Sequence, residues 1–191
     1  MLYFANMITR IYFIRHAEAR SNVDRDFTGD AALTENGILQ AELTAGCFKH
    51  KKIDGLYTSK ILRARQTADA ISKVAAVEPV IIEFIKERKV SYASPDQWAN
   101  IESFDDLMLR LAETKRFLEN LPDGRFVFVS HAIFMRALAA YLMFGEQITE
   151  DMLTAMNKTL LVDHTGVSKL SHSKENGRWH IESWNDLGHL S

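Results

Sequence analysis

The stretch ITRIYFIRH, residues 8–16, decides the fold class of this 191-residue chain. Its β-branched and aromatic residues are typical of a buried strand from Ile8 to Ile14, and Arg15 and His16 follow where that strand ends. Beyond this point, helix-like and strand-like stretches alternate along the chain. Such alternation predicts an α/β fold, a three-layer α/β/α sandwich built on a mostly parallel mixed sheet.

The periodicity of apolar residues places the other elements. A helix is expected from about Thr34 to Phe48, where Leu39, Leu43 and Cys47 fall at helical spacing beside Ile38, Ala41 and Ala45. Further helices are expected around Ala64–Ala75, after an N-capping Ser103, and over Ala132–Phe144. Strands are expected over Ile53–Thr58, Val80–Ile85 and Phe126–Ser130. Asn176-Gly177, between Leu170 and Trp179, indicates a terminal hairpin that could add an antiparallel element.

Composition is ordinary for a soluble globular protein, with 47% hydrophobic and 25% charged residues. We expect a single domain over 1–191, with a short cap segment at about 88–122. A formal net charge of −2 argues against nucleic acid binding, and no stretch is long enough to span a membrane. The single cysteine, Cys47, fits a reducing compartment, so a cytoplasmic protein is expected. Met1 or Met7 could be the start of the protein.

Polar side chains follow four of the predicted strands. They are Arg15 and His16, Ser59 and Arg63, Glu87, and Ser130 and His131. In open parallel sheets, ligands bind beyond the carboxyl ends of the strands. We therefore expect two histidines, two arginines and one carboxylate to meet at one rim of the sheet.

These residue types suit phosphoryl transfer. A guanidinium binds phosphate oxygens through parallel hydrogen bonds. A neutral imidazole is a competent nucleophile near neutral pH, since its ordinary pKa is about 6.5. A carboxylic acid can protonate a leaving alkoxide. Each residue alone has an ordinary explanation, such as a surface ion pair or a core histidine, but their joint placement favours a catalytic site.

Five segments resemble, in the same order, the motifs of the histidine phosphatase superfamily, which includes cofactor-dependent phosphoglycerate mutase. They are RHAEARSN (15–22), LTENGILQA (33–41), SKILRARQTA (59–68), IKER (85–88), and VSHA with RAL (129–132 and 136–138). The resemblance covers nearly the whole chain and implies the phosphoglycerate mutase-like version of the α/β/α sandwich.

The resemblance also implies a role for each site residue. His16 is the nucleophile that becomes phosphohistidine. Arg15, Arg63 and His131 bind the phosphoryl group. Glu87 is the proton donor and later the base that activates water. The resemblance implies neither a metal nor a cofactor.

Several positions depart from the family pattern, and one position that matches it also has an ordinary structural explanation. Ala17 and Ala132 replace the glycines that usually follow the two histidines, and Ala19 replaces a hydroxyl residue. His164 lies where the family often has an asparagine, and a structural role is expected for it. Asn22 matches a position near the phosphate pocket; its ordinary explanation is a helix cap, and the two roles are compatible because a helix N-terminus also attracts anions.

The expected function is hydrolysis of a phosphomonoester, either a phosphorylated small molecule or a phosphoprotein. His131 follows Glu87 by only 44 residues, which leaves no room for the large insertion of the glycolytic mutases. A short cap excludes water poorly, so hydrolysis is favoured over retention of the phosphoryl group. The alternatives are mutase-type phosphoryl transfer, a protein phosphohistidine phosphatase, a non-catalytic phosphate binder and a metalloenzyme, for which histidine spacing of the metal-binding type is missing. The natural substrate and the oligomeric state are left open.

Overall fold

A computed structural model describes residues 8–24, 30–88 and 102–191. The strands are β1 (Ile8–Arg15), β2 (Gly55–Thr58), β3 (Pro79–Ile81), β4 (Gly124–Ser130), β5 (Val167–Ser173) and β6 (Trp179–Asp186). The helices are α1 (Arg20–Asp24), α2 (Glu35–Gly46), α3 (Leu62–Ala75), α4 (Phe104–Asn120), α5 (Ala132–Phe144) and α6 (Glu150–Thr159). Within the described ranges, no helix combines the length and the apolar character needed to cross a membrane.

The strands form one mixed sheet in the order β3-β2-β4-β1-β5-β6. The strands β3, β2, β4 and β1 are parallel to one another. Strand β5 runs antiparallel to β1, and β6 runs antiparallel to β5. Gly177 turns the β5–β6 hairpin with a φ of +68°, a conformation that glycine adopts without steric cost. The predicted mostly parallel sheet with an antiparallel terminal hairpin is confirmed.

Alternate residues of the central strands face opposite helical layers, as the two-residue period of a strand requires. On β1, Ile11 and Phe13 pack with leucines of α4 and with the apolar residues of α5. Tyr12 and Ile14 point the other way and pack against α2 and α3. The sheet is therefore covered on both faces, and the three-layer sandwich is confirmed.

The large apolar residues used to predict helix α2 do not lie on its buried face. Ile38, Leu39 and Leu43 are 48%, 59% and 52% exposed, respectively. The buried positions carry small residues instead, namely Gly37, Ala41, Thr44 and Ala45. Small side chains let a helix backbone approach its neighbours closely, which is what this helix does beside the loop after β1.

The third predicted strand is shorter than expected. Pairing with β2 ends at Ile81, and residues Glu83–Ile85 form a 3₁₀ turn instead of continuing the strand predicted over Val80–Ile85. The reason is that β2 itself ends at Thr58, whose carbonyl accepts the last hydrogen bond from Ile82 N. Past that residue, the described part of the chain continues no strand pairing at this edge of the sheet.

The predicted cap segment at about 88–122 divides into two parts. Its second half is α4, capped by Ser103, whose side chain accepts a hydrogen bond from Asp106 N. Leu107, Leu111 and Leu118 of α4 are fully buried against the sheet, so this helix belongs to a main layer of the sandwich. Residues 89–101 lie outside the described part of the chain.

Candidate active site

Parallel pairing of β1, β4 and β2 brings their carboxyl ends to one edge of the sheet. Arg15 pairs with Ser130 at the end of the β1–β4 ladder, and His16 N donates to Ser130 O across 3.0 Å. Ser59 N donates to Val129 O across 3.2 Å, which aligns the end of β2 with the end of β4. The residues that follow these three strands therefore share one rim, as their positions in the sequence predict.

His16 is fixed in one tautomer by its hydrogen bonds. Its Nδ1 lies 2.7 Å from Ala17 O, and because a carbonyl oxygen can only accept, Nδ1 carries the proton. Its Nε2 therefore has a lone pair, which accepts a hydrogen bond from Arg63 Nε across 3.0 Å. Burial lowers the pKa of His16 well below its ordinary value, and the neighbouring His131, Arg63 and Arg15 lower it further. The imidazole is thus neutral around pH 7.

His131 lies next to His16, with ring centroids 5.1 Å apart. Its Nε2 is 2.7 Å from Ser59 Oγ, whereas its buried Nδ1 has no hydrogen-bond partner among the described residues. Burial lowers the pKa of His131 well below its ordinary value, and the charges of Arg63 and Arg15 lower it further. The site therefore contains a second neutral imidazole with one nitrogen available to a ligand.

Arg15 is held by the loop before β5. Its Nη1 donates to Val162 O across 2.7 Å and its Nη2 lies 2.8 Å from His164 Nε2, while its buried Nε has no partner in the described ranges. Burial lowers the pKa of Arg15 to about 10, so the guanidinium stays charged at neutral pH. His164, for which a structural role was expected, lies in the pocket with its ring centroid 5.7 Å from that of His16.

Glu87 lies at the amino end of α5. Its carboxylate accepts hydrogen bonds from the backbone N–H groups of Phe134 and Arg88, each across 3.0 Å, and a longer one from Ile133. Burial raises the pKa of Glu87, and these hydrogen bonds together with the nearby Arg63 charge offset part of that rise. The carboxyl group consequently holds its proton at higher pH than a solvated glutamate.

Asn22 lies in α1, and the described contacts of its side chain are local. Its Oδ1 accepts a hydrogen bond from Ala19 N across 3.1 Å, which is the helix-cap role considered above. Contact of Asn22 with a bound phosphate stays a prediction. Neither Ala17 nor Ala132 has a positive φ, so both methyl groups are accommodated without the backbone strain that their substitution for glycine could have caused.

The motif at residues 33–41 supports the loop that carries His16. Thr34 Oγ1 donates to Glu18 Oε1 across 2.6 Å, and Gln40 Oε1 accepts from Glu18 N across 3.0 Å. Gly37 packs directly on this loop, since a Cβ at that position would lie 1.9 Å from Glu18 O. The motif therefore acts by positioning the loop next to the site.

Comparison with known proteins shows which family the chain belongs to. The family model of the histidine phosphatase superfamily (branch 1) matches residues 11–187. Probable phosphoglycerate mutase GpmB from Photorhabdus laumondii is 27% identical over 208 aligned positions, which cover 95% of this chain and 94% of the relative. A protein from Hydrogenobacter thermophilus, provisionally named phosphoserine phosphatase 2, is 35% identical over 103 residues, 52% of this chain and 51% of the relative.

The fold is also shared with solved structures. Phosphoglycerate mutase from Bacillus anthracis superposes with a TM-score of 0.76 at 17% sequence identity, covering 97% of this chain and 96% of that protein. The phosphoglycerate mutase-like fold predicted from the sequence is thereby confirmed.

Proposed function

Because the chain belongs to the histidine phosphatase superfamily, we propose that it hydrolyses a phosphomonoester through a phosphohistidine formed on His16. The observation that carries this proposal is the state of that imidazole. Its proton is held on Nδ1 by Ala17 O, and its Nε2 lone pair points at a guanidinium. A buried, neutral imidazole next to fixed positive charge is the arrangement that nucleophilic attack on a phosphate dianion requires.

In the first step, His16 Nε2 attacks phosphorus and the bond from phosphorus to the leaving oxygen breaks. The ring then carries both an N–P bond and the Nδ1 proton, so it is positively charged. The hydrogen bond from Nδ1 to Ala17 O strengthens as that charge develops. Arg63 Nε, which donates to Nε2 in the free enzyme, is released to donate to a phosphoryl oxygen.

Three groups supply donors to the phosphoryl oxygens. Arg15 and Arg63 each provide a guanidinium, and Arg15 Nε has no partner within the described chain. For His131, we assign the Ser59 hydroxyl as the donor to Nε2, which leaves the ring proton on Nδ1 for a phosphoryl oxygen. This set of donors neutralises the phosphate without a metal ion, so activity is expected to persist in the presence of a chelator.

Glu87 transfers the protons of both half-reactions. Protonated, it gives its proton to the leaving oxygen as the ester bond breaks. Ionised, it then takes a proton from the water that attacks the phosphohistidine, which releases inorganic phosphate and restores neutral His16. Its raised pKa supports the first role, because the group must arrive protonated.

The substrate class that we favour is a small phosphomonoester. The two relatives are named for phosphoglycerate and phosphoserine, both of which are small phosphorylated acids. Phosphoglycerate mutase from Bacillus anthracis shares the fold over 97% of this chain and 96% of its own, so transfer between two oxygens of one substrate is the alternative to hydrolysis.

The decisive experiment combines turnover with trapping of the intermediate. Purified protein is assayed with p-nitrophenyl phosphate with and without EDTA, and rapid acid-free quenching with radiolabelled substrate detects an acid-labile, base-stable phosphoenzyme. His16→Asn should abolish both signals, while His50→Asn, exposed in the turn after α2, should retain them. Full turnover by His16→Asn, or no turnover by the wild type, would overturn the proposal. With 3-phosphoglycerate, phosphate release indicates hydrolysis and an isomeric product indicates mutase activity.

A further inference from the structure

The loop before β5 places a third imidazole against the phosphate pocket. We propose that His164 is a positioning residue, whose unprotonated Nε2 holds the Arg15 guanidinium so that its free N–H groups face the phosphoryl group. This inference rests on the proposed function, since it concerns how the same site binds phosphate.

The contacts of Arg15 fix the plane of its guanidinium. Of its five N–H bonds, one from Nη1 goes to Val162 O across 2.7 Å and one from Nη2 goes to His164 Nε2 across 2.8 Å. Both acceptors lie in the loop before β5, so they hold the guanidinium from one side. The buried Nε has no partner in the described chain and can serve a ligand.

The hydrogen bond requires that His164 be neutral, with its proton on Nδ1. A protonated ring would direct an N–H bond at the cation and repel it. Burial and then the charge of Arg15 lower the pKa of His164 to about 4, against opposing effects of Glu18 and Asp163. The acceptor is therefore present throughout the neutral range.

A neutral acceptor has an advantage over a carboxylate at this position. Either group can orient a guanidinium, but a carboxylate would cancel the positive charge that attracts the phosphate. His164 fixes Arg15 and leaves its charge for the ligand. Arg63 is also bonded to an imidazole, but that bond involves the nucleophile His16 and has to break during the reaction.

Hydrogen bonds hold the backbone on both sides of His164. Asp163 N donates to Asn185 Oδ1 across 2.7 Å, and Thr165 N donates to Arg15 O across 3.0 Å. Thr165 has a φ of +58°, an unfavourable value for a β-branched residue that persists only where its surroundings hold it. The loop thus presents the imidazole in a fixed position before any ligand binds, which lowers the entropic cost of orienting Arg15.

Three variants separate the proposed role from a merely structural one. His164→Phe keeps a ring of similar size and removes the acceptor, His164→Gln keeps a neutral acceptor near the position of Nε2, and His164→Glu keeps an acceptor with negative charge. Binding of inorganic phosphate is measured by calorimetry, which needs no turnover. We expect His164→Phe and His164→Glu to weaken phosphate binding about tenfold, and His164→Gln to recover most of that loss. In the p-nitrophenyl phosphate assay, the same changes should raise KM more than they lower kcat.

A double-mutant cycle with Arg15→Ala tests whether His164 acts through Arg15. Once Arg15 is truncated, His164→Phe should cause no further loss of phosphate affinity. An equal loss in both backgrounds, or wild-type affinity in His164→Phe alone, would refute the positioning role. If His164→Phe lowers the melting temperature, His164→Ala takes its place in the cycle. Phosphate binding by a wild-type protein that shows no turnover would refute the proposed function and still allow the cycle to decide on His164.

Discussion

Arg63 donates from Nε to His16 Nε2 across 3.0 Å, and so occupies the lone pair with which the proposed nucleophile would attack. Before His16 can attack, the hydrogen bond from Arg63 to His16 has to break, and an entering phosphoryl group would replace it by a hydrogen bond from Arg63 to a phosphoryl oxygen. Because the Arg63 guanidinium would then bind the phosphoryl group, removing this side chain should weaken substrate binding and slow phosphoryl transfer.

Arg63→Ala should raise KM and lower kcat together. The variant frees the His16 lone pair, but it loses a donor to the charge that develops on the phosphoryl oxygens, a loss that typically costs about 10²–10³ in rate. Steady-state kinetics with p-nitrophenyl phosphate measure the effect. Lys73→Ala, exposed on the same helix, is the matched control. An unchanged kcat in Arg63→Ala would contradict its proposed contact with the reacting group.

Glu87→Gln should impair substrates with poor leaving groups most. An alkyl phosphate needs a proton on its leaving oxygen, and loss of a positioned general acid commonly costs about 10²–10⁴ in rate. A nitrophenolate leaves without a proton, so its release should be much less affected in a single turnover. Glu83→Gln, exposed four residues earlier, serves as the control. Equal losses on both kinds of substrate would argue against Glu87 as the acid.

The pH–rate profile should be bell-shaped, limited on the acid side by His16 and on the alkaline side by Glu87. Attack requires neutral His16, whose lowered pKa puts the acid limb well below 6.5. Proton donation requires protonated Glu87, so the rate should fall as pH rises through its pKa, which lies above the ordinary 4.5. Profiles of kcat/KM for an alkyl phosphate test this, and the alkaline limb should disappear in Glu87→Gln. A rate that increases steadily above neutral pH would be inconsistent with these assignments.

Two glycines of α2 should respond oppositely to substitution by alanine. In Gly37→Ala the new Cβ would lie 1.9 Å from Glu18 O, so α2 has to move away from the loop that carries His16, at a cost of about 1–3 kcal/mol. Gly46→Ala meets nothing within 4 Å and should leave stability unchanged or raise it by up to about 1 kcal/mol. Denaturant unfolding and phosphatase assays measure both. The prediction fails if Gly37→Ala is as stable and active as Gly46→Ala.

The buried histidines should make the fold less stable in acid. The pKa of His131 is lowered in the folded state, so below its ordinary value of 6.5 the unfolded chain binds a proton that the folded chain does not. Stability is thus lost as pH falls below 6.5, by about 1.4 kcal/mol per pH unit for each such group. Unfolding free energies across this range should fall less steeply for His131→Asn than for wild type. Above pH 6.5, where these groups are neutral in both states, the two curves should run parallel.

Much of the site could be predicted because it follows a local rule. Arg15 ends a strand, and His16, Ser59 and His131 each come directly after one, and parallel pairing aligns the ends of those strands. Whether their side chains meet in one pocket depends on strand order. The contacts of His131 with the His16 ring and with Ser59 Oγ show that they do.

Other features could not be predicted, because they depend on how closely elements approach one another, which the spacing of apolar residues does not indicate. Leu39 and Leu43 follow helical spacing and are nevertheless exposed, because the space under α2 is only wide enough for Gly37, Ala41 and Ala45. The partner of His164 could not be predicted either, since Arg15 lies 149 positions away and an imidazole can serve equally in a core or a site.

The sequence by itself determined the α/β class, the order of the elements and the chemical types gathered at the rim, since strand and helix periods and strand ends are properties of neighbouring residues. Only the tertiary structure decided which imidazole is bonded to which guanidinium, which nitrogen of His16 keeps the proton and how far burial shifts each pKa. Those properties arise from distances and dielectric surroundings between residues far apart in the chain, and they exist only once the three layers have packed.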